Sequence, residues 1–151
     1  MNYEVYTDGS HFKNGGSGRL GIGAVLVDPE KDIVLNKLSE QIDKFYFREH
    51  YGTEDFSNPT MEIYAVYRIL SEWKNMFKPT DKIVLYADYM GVSSWLNGNW
   101  KINKSYIRMI VNDIISLINK NNINIEFRWV KGHYGEKYNE MADQLAKGKL
   151  I

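Results

Sequence analysis

The chain has 151 residues, of which 44% are hydrophobic and 25% charged, proportions typical of one soluble globular domain. It has no cysteine, which excludes disulfides and zinc sites built from thiolates, and no apolar stretch long enough to span a bilayer. Because 19 basic residues balance 19 acidic residues, any attraction to a polyanion must come from a local basic patch or from bound cations.

Three strands are predicted at the start of the chain. Residues 3–8 alternate between two faces, and residues 21–27 form an apolar second strand. The segment between them, residues 9–18, is rich in glycine, serine and asparagine, which is typical of a hairpin-type connection. A turn at residues 28–32 leads to a third strand over residues 33–42, so the three strands should form an antiparallel meander.

The middle of the chain combines an irregular segment with a helix and a buried strand. Residues 43–58 show no periodicity, so we predict a loop whose aromatic side chains pack over the sheet or contact a substrate. A helix then runs from Asn58 to about Phe77, with Thr60 as its N-cap. Residues 83–87 are continuously apolar, as expected of a strand that is covered on both faces.

The remainder of the chain is predicted to hold two helices, a strand and a closing helix. A short helix contains Val92, and a longer one ends at the asparagine-rich residues 119–122. Residues 123–129 alternate apolar and polar side chains, which predicts a strand whose buried face includes Trp129. Asp143 then lies on the flank of the closing helix. This order of elements predicts a five-stranded mixed sheet flanked by helices, an α/β fold.

Four acidic residues stand at positions that suit metal binding. Asp8 and Asp88 end two predicted strands, Glu62 opens a helix, and Asp143 lies on the last helix. If the two strands are adjacent and parallel, the carboxylates meet in one pocket, where cations would offset their repulsion. Oxygen ligands favour Mg²⁺ or Mn²⁺, and two such ions about 4 Å apart can hold the attacking water and the leaving oxygen of a phosphodiester. Each acid taken alone is more often a solvated surface charge or a helix cap.

Four segments resemble, in the right order, the motifs of type 1 ribonucleases H, which cut RNA paired to DNA. They are YTDGS at residues 6–10, NPTME at 58–62, YAD at 86–88, and VKGHYG at 130–135 followed by NEMAD at 139–143. The resemblance covers nearly the whole chain and is closest to a bacterial subgroup without the basic protrusion. It implies a ribonuclease H-like fold and a metal-dependent endonuclease that cuts the RNA strand of RNA–DNA hybrids and leaves 5′-phosphate and 3′-hydroxyl ends.

The resemblance also implies a role for each motif residue. Asp8 would bridge two Mg²⁺ ions, for which Mn²⁺ would substitute. Glu62 and Asp88 would complete one metal site, and Asp143 would bind the other ion. His133 lies on a glycine-bracketed loop, and an imidazole there suits proton transfer or product release.

Substrate contacts are expected at the strand end, at the helix start and in residues 95–104, which combine two tryptophans with lysines and asparagines. Aromatic faces can stack on a sugar or base while lysines contact phosphate. The spacing of Trp95 fits core packing equally well, so Trp100 is the better candidate. The predicted substrate-binding residues are Gly9, Ser10, Asn58, Met61, Trp100, Lys101, Asn103 and Lys104, with Ser57 as a further member of a phosphate pocket.

Two other classes of function fit parts of this pattern. One is a hybrid-binding module that kept the fold but does not cut, against which the four acids and the histidine argue. The other is a related nuclease or polynucleotidyl transferase that acts on DNA, which the VKGH and TDGS segments fit less well. For this chain we expect a single domain over residues 1–151, monomeric and cytoplasmic, with no membrane segment, no obligate protein partner and weak metal-free binding of nucleic acid.

Overall fold

A computed structural model describes residues 1–12, 19–131 and 136–149, and within these ranges it contains five strands and five α-helices. The strands are β1 (Asn2–Phe12), β2 (Arg19–Asp28), β3 (Ile33–Gln41), β4 (Lys82–Ala87) and β5 (Asn124–Trp129). The helices are α1 (Lys44–Tyr51), α2 (Asn58–Trp73), α3 (Met90–Leu96), α4 (Ser105–Lys120) and α5 (Lys137–Ala146). None of these described helices is long and apolar enough to cross a membrane.

The five strands form one mixed sheet with the order β3-β2-β1-β4-β5. β1 runs antiparallel to β2 and parallel to β4, and β4 is also parallel to β5. The last residue pair between β1 and β4 is Thr7 with Ala87, so Asp8 and Asp88 follow at the same edge of the sheet. The predicted five-stranded mixed sheet is confirmed, and the two strands that carry these acids are adjacent and parallel.

Helices cover both faces of the sheet and fix the positions of the acidic residues. α2 and α4 pack together on one face, where Ile110 and Ile114 lie on the buried stripe of α4. α5 packs on the other face across β1, β2 and β3. The Ser39 hydroxyl donates a hydrogen bond to the Leu145 carbonyl oxygen at 2.6 Å, which ties the carboxyl end of α5 to β3.

β1 and β2 are both longer than predicted. Ser10 pairs with Gly21 and Phe12 pairs with Arg19, so the ladder continues through part of the segment that was predicted to be a connection. The glycine and polar residues of this segment do not prevent pairing, because the ladder hydrogen bonds come from the backbone. The first two strands therefore reach beyond the acidic residues at the edge of the sheet.

The segment between β3 and α2, predicted to be an irregular loop, contains α1. The Asp43 carboxylate caps its start by accepting a hydrogen bond from the Tyr46 N–H at 3.1 Å, and Gly52 ends it at φ 65°. Phe47 is fully buried and packs edge-on against Tyr64 of α2, with 4.9 Å between ring centroids. The prediction of a loop is wrong because a helix of eight residues is too short to show a clear period.

The predicted start of α2 at Asn58 is confirmed, but its predicted N-cap and end are wrong. The helix begins at Asn58 with Ser57 in the N-cap position, so Thr60 lies in the first turn and not at the cap. Pro59 suits its place beside the cap, because its fixed φ is compatible with the first turn of a helix. The helix ends at Trp73, before the predicted end, and a 3₁₀ turn follows it.

Candidate active site

Three carboxylates from separate parts of the chain meet at the edge of β1 and β4. Asp8 lies in β1, Asp88 follows the end of β4, and Glu62 lies near the start of α2. One oxygen from each of these three side chains can be chosen so that all three atoms lie within 4.8 Å of one another. Asp8 and Glu62 are buried while Asp88 is partly exposed, so the cluster is accessible from one side.

The fourth predicted acid, Asp143, lines the same cavity from α5. The cavity has a volume of about 290 Å³, and its lining residues are Asp8, Gly9, Asn58, Glu62, Asp88, Tyr89 and Asp143. The Asp143 side chain is 37% exposed and forms an ion pair with Lys147 at 3.0 Å, one helical turn further along α5. Lys147 was not predicted from the sequence, although its i,i+4 spacing from an acid on a helix is a recognisable signal.

A glycine allows α2 to approach β1 closely enough to place Glu62. The Gly9 N–H donates a hydrogen bond to Glu62 Oε1 at 3.0 Å. A Cβ atom on Gly9 would lie only 2.1 Å from the Met61 carbonyl oxygen, so no larger residue fits without moving the helix. The requirement for glycine therefore comes from packing against α2. The Met61 side chain is fully buried, so a substrate contact there would have to use the main chain.

The electrostatics of the cluster are those of crowded, desolvated acids. Burial raises the pKa of Asp8 to about 7, and the charges of Asp88 and Asp143 act in the same direction. Burial, followed by the charge of Asp8, also raises the pKa of Glu62 well above its ordinary value. Glu62 Oε2 is buried and has no hydrogen-bond partner within the described part of the chain. A divalent cation with oxygen ligands would satisfy this oxygen and offset the repulsion, so the residues fit such an ion.

A second cavity, of about 220 Å³, adjoins the acidic one. Tyr89 lines both cavities. The second is formed by the start of α2, by α3 and by the segment before α4, and its lining includes Ser57, Thr60, Trp95, Lys101, Asn103 and Lys104. Trp100 is 40% exposed and meets Trp95 edge-on at 6.2 Å between ring centroids. The structure therefore gathers most of the predicted substrate-binding residues beside the acids. Their contact with a substrate stays a prediction.

Trp129 does not occupy the buried position that the strand pattern predicts. Its side chain is 42% exposed, and its indole N–H donates a hydrogen bond to the Asp88 carbonyl oxygen at 3.0 Å. The Val130 N–H donates a hydrogen bond to the Ala87 carbonyl oxygen at 3.0 Å. The carbonyl groups of Ala87 and Asp88, at the end of β4, are therefore both hydrogen-bonded to residues at the end of β5. Trp129 thus helps to fix the main chain at Asp88. The alternation of residues 123–129 could not reveal this, because it carries no information about a side chain at the strand end.

One predicted site residue, and the side chain of another, lie outside the described part of the chain. His133 falls between residues 131 and 136, and the side chain of Ser10 is likewise outside the described set. Their predicted roles are neither supported nor contradicted by the geometry.

Comparison with known protein families gives one match over the whole chain. The sequence model of the RNase H family matches residues 1–151. A ribonuclease H of Actinobacillus succinogenes is 35% identical over 95% of this chain and 86% of its own length. A ribonuclease HI of Haemophilus influenzae is 34% identical, also over 95% of this chain and 86% of its own length.

Solved structures with the same fold include several RNase H domains. RNase H1 from the archaeon Halobacterium salinarum aligns with a TM-score of 0.72 at 18% identity, over 99% of this chain and all of its own. LC11-RNase H1 in complex with an RNA/DNA hybrid aligns with a TM-score of 0.65 at 17% identity, over 97% of each chain. At these identities the similarity shows the fold.

Proposed function

This chain belongs to the RNase H family and is a ribonuclease H, and we propose that it hydrolyses the RNA strand of RNA–DNA hybrids with two divalent metal ions. The products would carry 5′-phosphate and 3′-hydroxyl ends. Two observations support the metal-dependent mechanism. One oxygen each from Asp8, Glu62 and Asp88 lie within 4.8 Å of one another, and the buried Glu62 Oε2 lacks a hydrogen-bond partner among the described residues.

The acids divide naturally between two metal positions. Asp8, Glu62 and Asp88 would hold one ion, and Asp8 with Asp143 would hold the other. When bound, the ions would supply positive charge to the phosphodiester and lower the pKa of the attacking water. The hard oxygen ligands favour Mg²⁺, for which Mn²⁺ would substitute. The Lys147 ammonium, now 3.0 Å from Asp143, would leave that carboxylate when the second ion binds.

The chain's own residues would orient the hybrid over this centre. An RNA strand differs from DNA in its 2′-hydroxyl groups and helix geometry, so selectivity must rest on these. We place the RNA strand at the edge formed by Gly9, Ser10 and Asn58, of which Gly9 and Asn58 line the acidic cavity. The DNA strand would follow the second cavity, with its phosphate near Asn103 and a sugar or base against the exposed face of Trp100.

Two further parts of the proposal concern turnover and organisation. His133 would assist turnover or product release without being a permanent metal ligand. We also propose that residues 1–151 form a single domain that acts as a monomer in the cytoplasm. Two observations support one domain. All five described strands join one sheet, and the family model matches residues 1–151 as one unit.

A panel of four substrates tests the proposed function. Labelled RNA–DNA hybrid, double-stranded RNA, single-stranded RNA and duplex DNA are each incubated with Mg²⁺ or with EDTA. We expect cutting of the RNA strand of the hybrid only, and only with Mg²⁺. Cutting of duplex DNA would indicate a DNA nuclease, and hybrid binding without cutting in Mg²⁺ would indicate a binding module. Cutting of the hybrid in EDTA would contradict the metal mechanism.

Replacing Lys101, Lys104 and Arg108 together by alanine should raise KM for the hybrid by about tenfold and leave kcat almost unchanged. These residues form a short basic stretch around the second cavity, and the chain has no net positive charge to compensate for their loss. The measurement is steady-state cleavage at two salt concentrations. Replacing three exposed lysines at the opposite end of the sheet, Lys78, Lys82 and Lys120, removes the same charge and is the control. Equal KM values for the two triple variants would contradict the assignment.

A further inference from the structure

One carboxylate outside the acidic cluster joins several parts of the second cavity. Asp55, in the segment between α1 and α2, accepts a hydrogen bond from the Ser57 N–H at 3.1 Å through Oδ1. Its Oδ2 accepts from the Thr60 hydroxyl at 3.0 Å and from the Tyr106 hydroxyl. The Lys104 ammonium lies 3.4 Å from the same oxygen. Asp55 therefore binds four groups, two at the start of α2 and two at the start of α4.

Three of the four partners of Asp55 line the second cavity. Ser57, Thr60 and Lys104 line it, whereas Asp55 itself does not, so the carboxylate acts from behind the lining. Ser57 and Thr60 belong to the start of α2, and Lys104 and Tyr106 to the start of α4. The carboxylate thus links the amino ends of two helices that carry predicted substrate-binding residues.

Asp55 places a negative charge beside the cavity that is expected to receive a phosphate. Partial burial alone would raise its pKa, but hydrogen bonds from Tyr106, Ser57 and Thr60 hold the pKa well below its ordinary value. Asp55 is therefore a carboxylate at neutral pH, beside the expected path of a polyanion. By charge alone, Asp55 would weaken the binding of nucleic acid. Any favourable effect of Asp55 on binding must therefore come from the positions in which its hydrogen bonds hold the cavity wall.

We propose that Asp55 is a positioning residue for the hybrid, one that holds Ser57, Thr60 and Lys104 in the arrangement that receives a nucleic-acid phosphate. The inference rests on the proposed function. Asp55 does not line the cavity that holds Asp8, Glu62 and Asp88. Its removal should therefore affect binding of the substrate and leave the chemical step almost unchanged.

The test is steady-state cleavage of the hybrid by Asp55→Asn, which keeps the shape of the side chain and removes its charge. We expect KM to rise by about tenfold while kcat stays within about twofold of the wild type. The opposite sign is expected if Asp55 acts only through its charge, because loss of a negative charge beside a polyanion lowers KM. The sign of the change in KM therefore separates the two roles.

Glu54→Gln is the matched control. Glu54 is the adjacent residue, its side chain is 75% exposed, and it pairs with Arg48 at 3.2 Å, on α1. This variant changes the net charge by the same amount without touching the cavity wall, so KM should stay the same or fall slightly.

Tyr106→Phe is a second test of the same inference. It keeps every charge and removes one hydrogen bond to Asp55. We expect KM to rise, but by less than in Asp55→Asn.

Thermal unfolding of each variant shows whether it is folded, and Tyr106→Phe alone decides the question if Asp55→Asn does not fold. An unchanged or lowered KM in a folded Asp55→Asn protein, or an unchanged KM in Tyr106→Phe, would overturn the inference while leaving the proposed function intact. Failure of the wild-type protein to cut the hybrid would instead overturn the proposed function itself.

Discussion

Replacing Asp8 by asparagine should reduce hybrid cleavage by at least about a thousandfold and, at the same time, stabilise the metal-free protein. The loss of activity is expected because Asp8 is the acid that would contact both metal ions. The gain in stability is expected because Asp8 is 5% exposed and shares its cavity with Glu62, Asp88 and Asp143. Replacing a residue that is needed only for folding would instead lower both the stability and the activity of the protein.

The gain in stability should depend on pH in a defined direction. The pKa of Asp8 is about 7 in the folded protein, whereas its ordinary value is 3.8. The folded protein therefore binds a proton more tightly than the unfolded chain does, and the ionised carboxylate lowers stability progressively from about pH 4 to about pH 7. In EDTA, Asp8→Asn should be more stable than the wild type by up to about 4 kcal/mol above pH 7, and the difference should vanish near pH 4.

Asp143→Asn provides the control for this comparison. Asp143 is predicted to bind a metal ion as well, but its side chain is 37% exposed and paired with Lys147. Its replacement should reduce cleavage without stabilising the metal-free protein. Denaturant unfolding in EDTA at several pH values, beside hybrid cleavage in Mg²⁺, measures both effects. Full activity of Asp8→Asn, or a loss of stability above pH 7, would refute the role assigned to Asp8.

Gly9→Ala should destabilise the fold by about 3 kcal/mol and remove most of the activity. The new Cβ would lie 2.1 Å from the Met61 carbonyl oxygen and 3.0 Å from the Glu62 nitrogen. Because these neighbours are backbone atoms, no change of rotamer can relieve the overlap. The amino end of α2 must then move away from β1, which breaks the hydrogen bond from the Gly9 N–H to Glu62 and separates two acids of the cluster.

Gly52→Ala separates this effect from the general cost of replacing a glycine. Gly52 ends α1 at φ 65°, and a Cβ there would meet no other atom within 4 Å. Its replacement should cost about 1 kcal/mol, from backbone strain alone, and leave cleavage unchanged. Both variants are measured by denaturant unfolding and by cleavage at a temperature at which they are folded. If Gly9→Ala costs no more than Gly52→Ala and keeps its activity, the close packing of α2 on β1 does not position Glu62.

The sequence was sufficient to predict the central arrangement of the fold. Asp8 and Asp88 each follow a run of strand-forming residues, so their carboxylates were expected to meet if the two strands were adjacent and parallel, and the structure fulfils this condition. Glu62 and Asp143 could be assigned to the same site because a helix start and a helix flank can be recognised from local sequence patterns, and because both residues lie in motifs that resemble those of the family. These features depend on neighbours in the sequence, or on the topology that such neighbours imply.

The features that were missed depend on contacts between distant residues. Asp55 meets Tyr106, 51 positions later, and the indole of Trp129 meets the main chain of Asp88, 41 positions earlier. No periodic pattern encodes such pairs. The same limit applies to Gly9, for which the sequence suggested a contact with the substrate. The structure shows a close approach of α2, which only packing in three dimensions can reveal.

The central claim is that acidic oxygens from four segments of the chain hold two divalent ions. Crystals of the wild-type protein soaked in Mn²⁺ test it most directly, because the anomalous scattering of manganese locates each ion without assumptions about its ligands. We predict two peaks, one in contact with Asp8, Glu62 and Asp88 and the other with Asp8 and Asp143. An empty cavity at saturating Mn²⁺, with these side chains turned away from one another, would contradict the claim.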